Sequence, residues 1–283
     1  MALDIQNRII PAVFSSLGIL GLTATVACAQ EGRLLSANFG ADNGFGQGAD
    51  FFVCQGAIGL DGIPVVFSEE IAALPAPSDI RVLGEDGDDR PVTCLTFDPA
   101  DDPGEQRTLL LVGDFGSPED QPASVEVLGD VRSKDWRTSF QGAKVAIFAL
   151  ESGPKMVLAQ LLPPREWDLG NPGTRVQWGG GNACPIEGTR QVIRTVWGGG
   201  IRTPDGNELT QAEWSNYVVT LESPDGTVTE VTPFALGDLN DRDNNHELCL
   251  DRKGRPLAVT FAAGIVIDPN GDLNQKTTVM VSK

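Results

Sequence analysis

The chain reads as all-β, a tandem of two antiparallel β-sandwiches produced by internal duplication. Three observations predict this. Short runs rich in Val, Ile, Thr and Phe recur between clusters of Gly, Pro, Asp and Asn, and 33 Gly with 19 Pro supply the turns such a fold needs. After the first 29 residues no segment sustains an apolar 3.6 period over three turns, so helix is a minor component. The sequence also resembles itself: Cys54 and Phe67 recur as Cys184 and Trp197, both at an offset of 130 residues.

Taken in chain order, residues 1–29 come first. They carry one basic residue, Arg8, then an apolar run from Ile9 to Ala27, then Ala27-Cys28-Ala29, the small-x-small pattern read by signal peptidase. A cleaved export signal is the expectation. A transmembrane anchor would need about twenty continuous apolar residues. A lipoprotein anchored at Cys28 would prefer Leu where Thr25 stands. The mature chain is therefore expected to be secreted or periplasmic, with no membrane-spanning segment. It divides at Glu151-Ser152-Gly153-Pro154 into residues 30–154 and 155–283.

Within the two copies, residues 34–39 answer to 157–162, and Pro64-Val65-Val66-Phe67 answers to Arg194-Thr195-Val196-Trp197. Ser78-Asp79-Ile80-Arg81-Val82 answers to Ser215-Asn216-Tyr217-Val218-Val219, with extra residues at the turn signal Thr203-Pro204-Asp205-Gly206-Asn207. An acidic loop follows in each copy, 98–105 and 238–247, then an apolar run, 109–112 and 248–250. Two more strand-like runs close each copy: 125–127 with 145–148, and 258–261 with 278–281. Residues 75–79 and 209–214 read as single helical turns leading into strands. Six to eight such strands match an antiparallel sandwich in size.

Removal of the first 29 residues leaves Cys54, Cys94, Cys184 and Cys249, an even set in an exported chain, which favours disulfides. Three connectivities are possible, and Cys54–Cys94 with Cys184–Cys249, one in each copy, is the favoured one. Each closure would stabilise its copy by about 4 kcal/mol in the chain-entropy model.

Ile63-Pro64-Val65-Val66-Phe67-Ser68-Glu69-Glu70-Ile71 followed by Pro77-Ser78-Asp79-Ile80-Arg81-Val82 resembles the opening of bacterial Ig-like domains of the S-layer and invasin kind. The segment Ala263-Gly264-Ile265-Val266-Ile267-Asp268-Pro269-Asn270-Gly271-Asp272-Leu273-Asn274 is similar to their closing hairpin. The resemblance implies an extracellular Ig-like sandwich used for display, adhesion or spacing. It carries over no catalytic residue.

Charge narrows the partners. With 39 Asp+Glu against 21 Lys+Arg and a formal charge of -18, the chain repels nucleic acid and anionic membrane surfaces. One histidine excludes chemistry built on several. A protein or glycan ligand is the expected partner class.

The acidic loop of the second copy is the candidate site. Asp238, Asp241, Asp243, Asn245 and Glu247 offer hard oxygen ligands at close spacing, as Ca2+ requires. The loop departs from the EF-hand, since counting from Asp241 places His246 at the glycine position and Arg252 at the bidentate glutamate. The plainer reading is a solvated acidic turn, with His246 on the surface. Asp268, Asn270, Asp272 and Asn274 read as a hairpin turn. Trp197, in the second of two Trp-Gly-Gly-Gly units, aligns with Phe67 and is expected in the core, whereas Trp178, in the first, has no such guide. G-x-S-x-G and the aspartic-protease triplets are absent from the sequence. The expected function is a non-enzymatic binding or structural module. The alternative is a secreted hydrolase acting on polysaccharide through a carboxylate pair in a cleft between the copies.

Overall fold

A computed structural model describes residues 30–170, 183–239 and 241–282. Residues 1–29, expected to be an export signal, and Trp178 lie outside the described residues. No helix among the described residues is long and apolar enough to cross a membrane.

The protein is all-β. Its first half comprises β1 (Gln30–Glu31), β2 (Leu34–Asn38), β3 (Asp61–Phe67), β4 (Ile80–Gly84), β5 (Asp89–Arg90), β6 (Val92–Thr96), β7 (Thr108–Gly113), β8 (Pro122–Val127), β9 (Thr138–Ser139) and β10 (Lys144–Phe148). The second half comprises β11 (Met156–Leu161), β12 (Gln191–Trp197), β13 (Tyr217–Glu222), β14 (Val228–Val231), β15 (Ala235–Gly237), β16 (Asn245–Leu250), β17 (Arg255–Phe261) and β18 (Thr277–Ser282).

Apart from the short parallel pair β1–β9, the strands form two sheets, ordered β5-β4-β8-β10-β2-β3-β7-β6 and β14-β13-β17-β18-β11-β12-β16-β15. Position by position the two orders match. In each, one strand joins the two layers. Residues 144–146 of β10 pair antiparallel with β8, and its last two, Ile147 and Phe148, pair parallel with β2. Likewise β18 pairs antiparallel with β17 and then, at Val281 and Ser282, parallel with β11.

The layers face each other across apolar cores because the strands alternate. Tyr217, Val219 and Leu221 of β13 point inward and their neighbours outward. In the first half, Ile80, Val82, Val125 and Val127 of one layer pack against Ala37, Ile63, Val65, Phe67, Leu109 and Leu111 of the other. In the second, Tyr217, Val219 and Val259 face Ala159, Ile193, Trp197 and Leu248. Trp197 and Phe67 each end the same strand of their sheet and are both fully buried, as expected.

The helical turns also fall where expected. Two 3-10 helices, Pro77–Asp79 of one turn and Gln211–Asn216 of two, lead into β4 and β13. A four-residue helix, α1 (Ala49–Phe52), has no periodic signal and is legible only in the structure. Both disulfides have the favoured connectivity, Cys54–Cys94 with Cα atoms 6.5 Å apart and Cys184–Cys249 with 5.7 Å.

Candidate metal centre

Two loops build the site. One connects β6 to β7 and carries Asp102, Glu105 and Arg107; the other connects β15 to β16 and carries Asp238, Asp241 and Asp243. They occupy the same place in the two sheets, and they meet at the junction between the halves.

The second loop is turned inward by its backbone. Asp238 and Arg242 both adopt left-handed conformations, with φ of 62° and 67°, which an Asp tolerates better than an Arg. Beyond it, residues expected in an acidic turn become a buried strand. Asn245–Leu250 is β16, paired on one side with β12 and on the other with β15. The solvated-turn reading is therefore corrected: Asp238 is 9% exposed, Glu247 2%, and Asn245 wholly buried. The surface reading of His246 is corrected with it, because the histidine sits on β16 with its ring against Tyr217. Its Nδ1 lies 2.7 Å from the Tyr217 hydroxyl, which in turn accepts a 3.0 Å bond from Trp197 Nε1. Burial holds the imidazole at a pKa of about 4, so it is neutral at pH 7 and serves the core.

Asp238, Asp241 and Asp243 bring carboxylate oxygens within 4.8 Å of one another, and Asp102, Glu105 and Asp238 do the same, so Asp238 belongs to both sets. Asn245 and Glu247 flank this centre. Asn245 donates through its backbone N and Nδ2 to the two carboxylate oxygens of Asp243, at 2.7 and 2.6 Å. Glu247 Oε1 accepts a 3.1 Å bond from Arg194 Nη2, and the same nitrogen lies 4.0 Å from Glu105 Oε1. Arg194 can approach the first loop because residue 104 is glycine. Gly104 has a φ of 100°, and a Cβ there would collide with the guanidinium.

The electrostatics are those of too many anions in a dry place. Burial first, then the charges of Asp243 and Asp238, push Glu105 well above the usual carboxylate range. Burial followed by the charges of Asp238 and Asp241 does the same to Asp243. Asp241 is pushed up to about 8 by burial, Asp238 and Glu208, and Glu247 to about 7 by burial against the opposing pull of Arg194. Burial also lowers Arg107 to about 10, with the neighbouring Arg194 adding to the effect.

Several buried acceptors have no hydrogen-bond partner among the described residues: Asp102 Oδ1, Asp238 Oδ2, Asp241 Oδ2, Asn245 Oδ1 and Glu247 Oε2. All are oxygens, hence hard ligands. Arg107 Nε and Arg194 Nε also lack partners there, but the oxygens outnumber them, and unsatisfied buried carboxylate oxygens are what a cation relieves. The donor set therefore fits a hard divalent ion. Sequence reasoning found Asp238, Asp241 and Asp243 but not Asp102 and Glu105. The available signal was the matching acidic loop at 98–105.

Other bonds cross the junction. Asn244 Nδ2 donates to Thr108 Oγ1 at 3.0 Å, and Arg107 Nη2 to Gln160 Oε1 at 2.9 Å. Beside them lies a cavity of about 260 Å3 whose walls include Phe39, Phe45, Pro64, Phe97 and Leu110. The Asp268 cluster is a turn, as expected: Asp268 Oδ1 accepts from the backbone N of Asn270 and of Asp272, both at 3.0 Å. No protein-family model and no curated protein sequence matches the chain.

Proposed function

We propose that the protein is an exported, non-enzymatic binding or structural module of two tandem Ig-like domains that arose by duplication, with Ca2+ supporting the second acidic loop. The observation that carries this reading is the burial of Asp102, Glu105, Asp238 and Asp243, which suits cohesion better than contact with a polymeric substrate. Several features support it. The matching strand orders and the parallel contact between first and last strands suit the four-plus-four layering of Ig-type sandwiches and a duplicated origin. The two disulfides suit an oxidising compartment outside the cytoplasm.

The alternative, a hydrolase with a carboxylate pair in an interdomain cleft, has weaker support. Of the clustered carboxylates only Asp243 lines the junction cavity, and both its oxygens are engaged by Asn245. The wider carboxylate separations of glycosidases, about 5 to 9.5 Å with room for water, call for an open groove.

Thermal unfolding in millimolar Ca2+ and in EDTA, at equal ionic strength, tests the reading. Occupancy at one hundred times the dissociation constant should add about 2.7 kcal/mol. Equal midpoints would remove Ca2+ from the proposal. Turnover of a polysaccharide, abolished by a single carboxylate substitution, would replace the binding module with the hydrolase.

A further inference from the structure

We infer that Ca2+ bridges the two sandwiches through Asp238, which belongs both to a set with Asp102 and Glu105 of the first and to a set with Asp241 and Asp243 of the second, so that metal fixes one half against the other. The inference rests on the Ca2+ reading of the second loop and goes beyond it by making the site a property of the junction.

Geometry carries the first step. Asp238 brings an oxygen within 4.8 Å of oxygens on both Asp102 and Glu105, and, in the other set, of oxygens on Asp241 and Asp243. An ion held by Asp238 is therefore in reach of ligands from both halves. Ca2+ takes six to eight oxygens at about 2.3–2.6 Å, more than the second loop's three carboxylates supply singly.

The orphaned atoms carry the second step independently. Asp102 is 7% exposed and Asp238 9%, and each keeps a buried oxygen without a hydrogen-bond partner. One of these residues comes from each half. Both residues belong to the set Asp102, Glu105 and Asp238, and a cation held there would supply a partner that each oxygen lacks.

Charge carries the third. Asp102, Glu105, Asp238, Asp241, Asp243 and Glu247 lie in or beside the two loops, and Arg194 forms ion pairs with two of them, Glu247 and Glu105. Two buried arginines, Arg194 and Arg107, face six carboxyl groups, so the cluster once ionised carries an excess of negative charge at the junction. The other bonds named there, Asn244 to Thr108 and Arg107 to Gln160, each involve a neutral partner. A divalent ion would offset that excess and tie the two loops together.

The test uses the full mature chain with CaCl2 as the only ligand. Isothermal titration calorimetry of wild type, Asp102→Asn, Glu105→Gln and Asp241→Asn gives the affinities. Hydrogen exchange of wild type, with and without Ca2+, reads the segments 99–107 and 236–245 separately. A bridging ion predicts that each first-half variant weakens binding by roughly tenfold or more, as Asp241→Asn does, since affinity follows ligand charge count. It also predicts slower exchange in both segments when Ca2+ is present. If Asp241→Asn loses affinity while Asp102→Asn and Glu105→Gln bind like wild type, the bridge is overturned and the Ca2+ reading of the second loop stands. If wild type binds no Ca2+, that reading falls and takes the bridge with it. Should a variant fail to fold, exchange in the wild type decides: a Ca2+-bound chain whose segment 99–107 exchanges unchanged overturns the bridge.

Discussion

The two sandwiches share a strand order and differ in how they fill it. In the first, Phe67 meets Phe140 edge to face, at 4.9 Å between ring centroids, within a core of hydrocarbon. In the second, the counterpart of Phe67 is Trp197, and its indole begins a buried chain through Tyr217 to His246. The same asymmetry recurs at the disulfides. Cys184 and Cys249 are fully buried and extend the core, whereas Cys54 and Cys94 are half-buried beside α1. One scaffold thus tolerates a dry interior or a polar one, provided every polar atom finds a partner. Where partners are missing, at the meeting of the acidic loops, the difference marks a site.

Removing each disulfide sharpens the contrast most. Cys184→Ala with Cys249→Ala should cost about 4 kcal/mol, plus the loss of buried sulfur contacts, while the same change at Cys54 and Cys94 should cost no more than the loop term. Paired denaturant melts measure this, and equal losses would show that core position adds nothing.

Acidity provides the next contrast. Asp241 and Glu247 have folded values of about 8 and about 7, raised above their ordinary carboxylate values by burial. The folded chain therefore holds protons that the unfolded chain releases from about pH 4 upward. Stability from these groups is fully present below pH 4 and is lost as pH rises through 7 to 8. In EDTA the second sandwich should lose stability across that window, and saturating Ca2+, if it takes the deprotonated oxygens as proposed, should reverse the slope. Melting midpoints from pH 5 to 8 with each additive check both signs; a flat profile in EDTA would contradict the buried-anion account.

Tyr217→Phe probes the polar core. It leaves Trp197 Nε1 and His246 Nδ1 without their shared partner, at a cost of about 1–3 kcal/mol by chemical denaturation. The first sandwich offers no equivalent, and a neutral outcome would mean water replaces the hydroxyl. The smallest effect is expected at the helical turns. Thr210 Oγ1 accepts from Ala212 N at 3.1 Å, whereas the first-half turn begins at Ala76, which has no such acceptor. Thr210→Ala should make the second turn like the first and cost about 0.5–1 kcal/mol, readable as a small shift in midpoint.

Much of the fold is legible in the sequence because strands and turns leave local marks. The Val-, Thr- and Phe-rich runs became strands, residues 75–79 and 209–214 supplied turns, and the even cysteines paired within each half. The site is only half legible. Asp238, Asp241 and Asp243 declare themselves by spacing, but the approach of Asp102 and Glu105 depends on how two sheets dock, which no local pattern encodes. His246 misleads for a related reason: its neighbours Asn244, Asn245 and Glu247 look solvated, yet β16 is flanked by strands on both sides and carries them all inside. Polar composition signals exposure only when the backbone has no better partner than water.

The parallel contact between first and last strands has a mechanical consequence. In the first sandwich β2 and β10 run the same way, so the chain enters at one end of the pair and leaves at the other. The pair β11 and β18 repeats the arrangement. Tension along the chain therefore slides each pair lengthwise, and its hydrogen bonds resist together instead of opening one after another. Forced extension of such a chain is governed by the unfolding barrier more than by equilibrium stability.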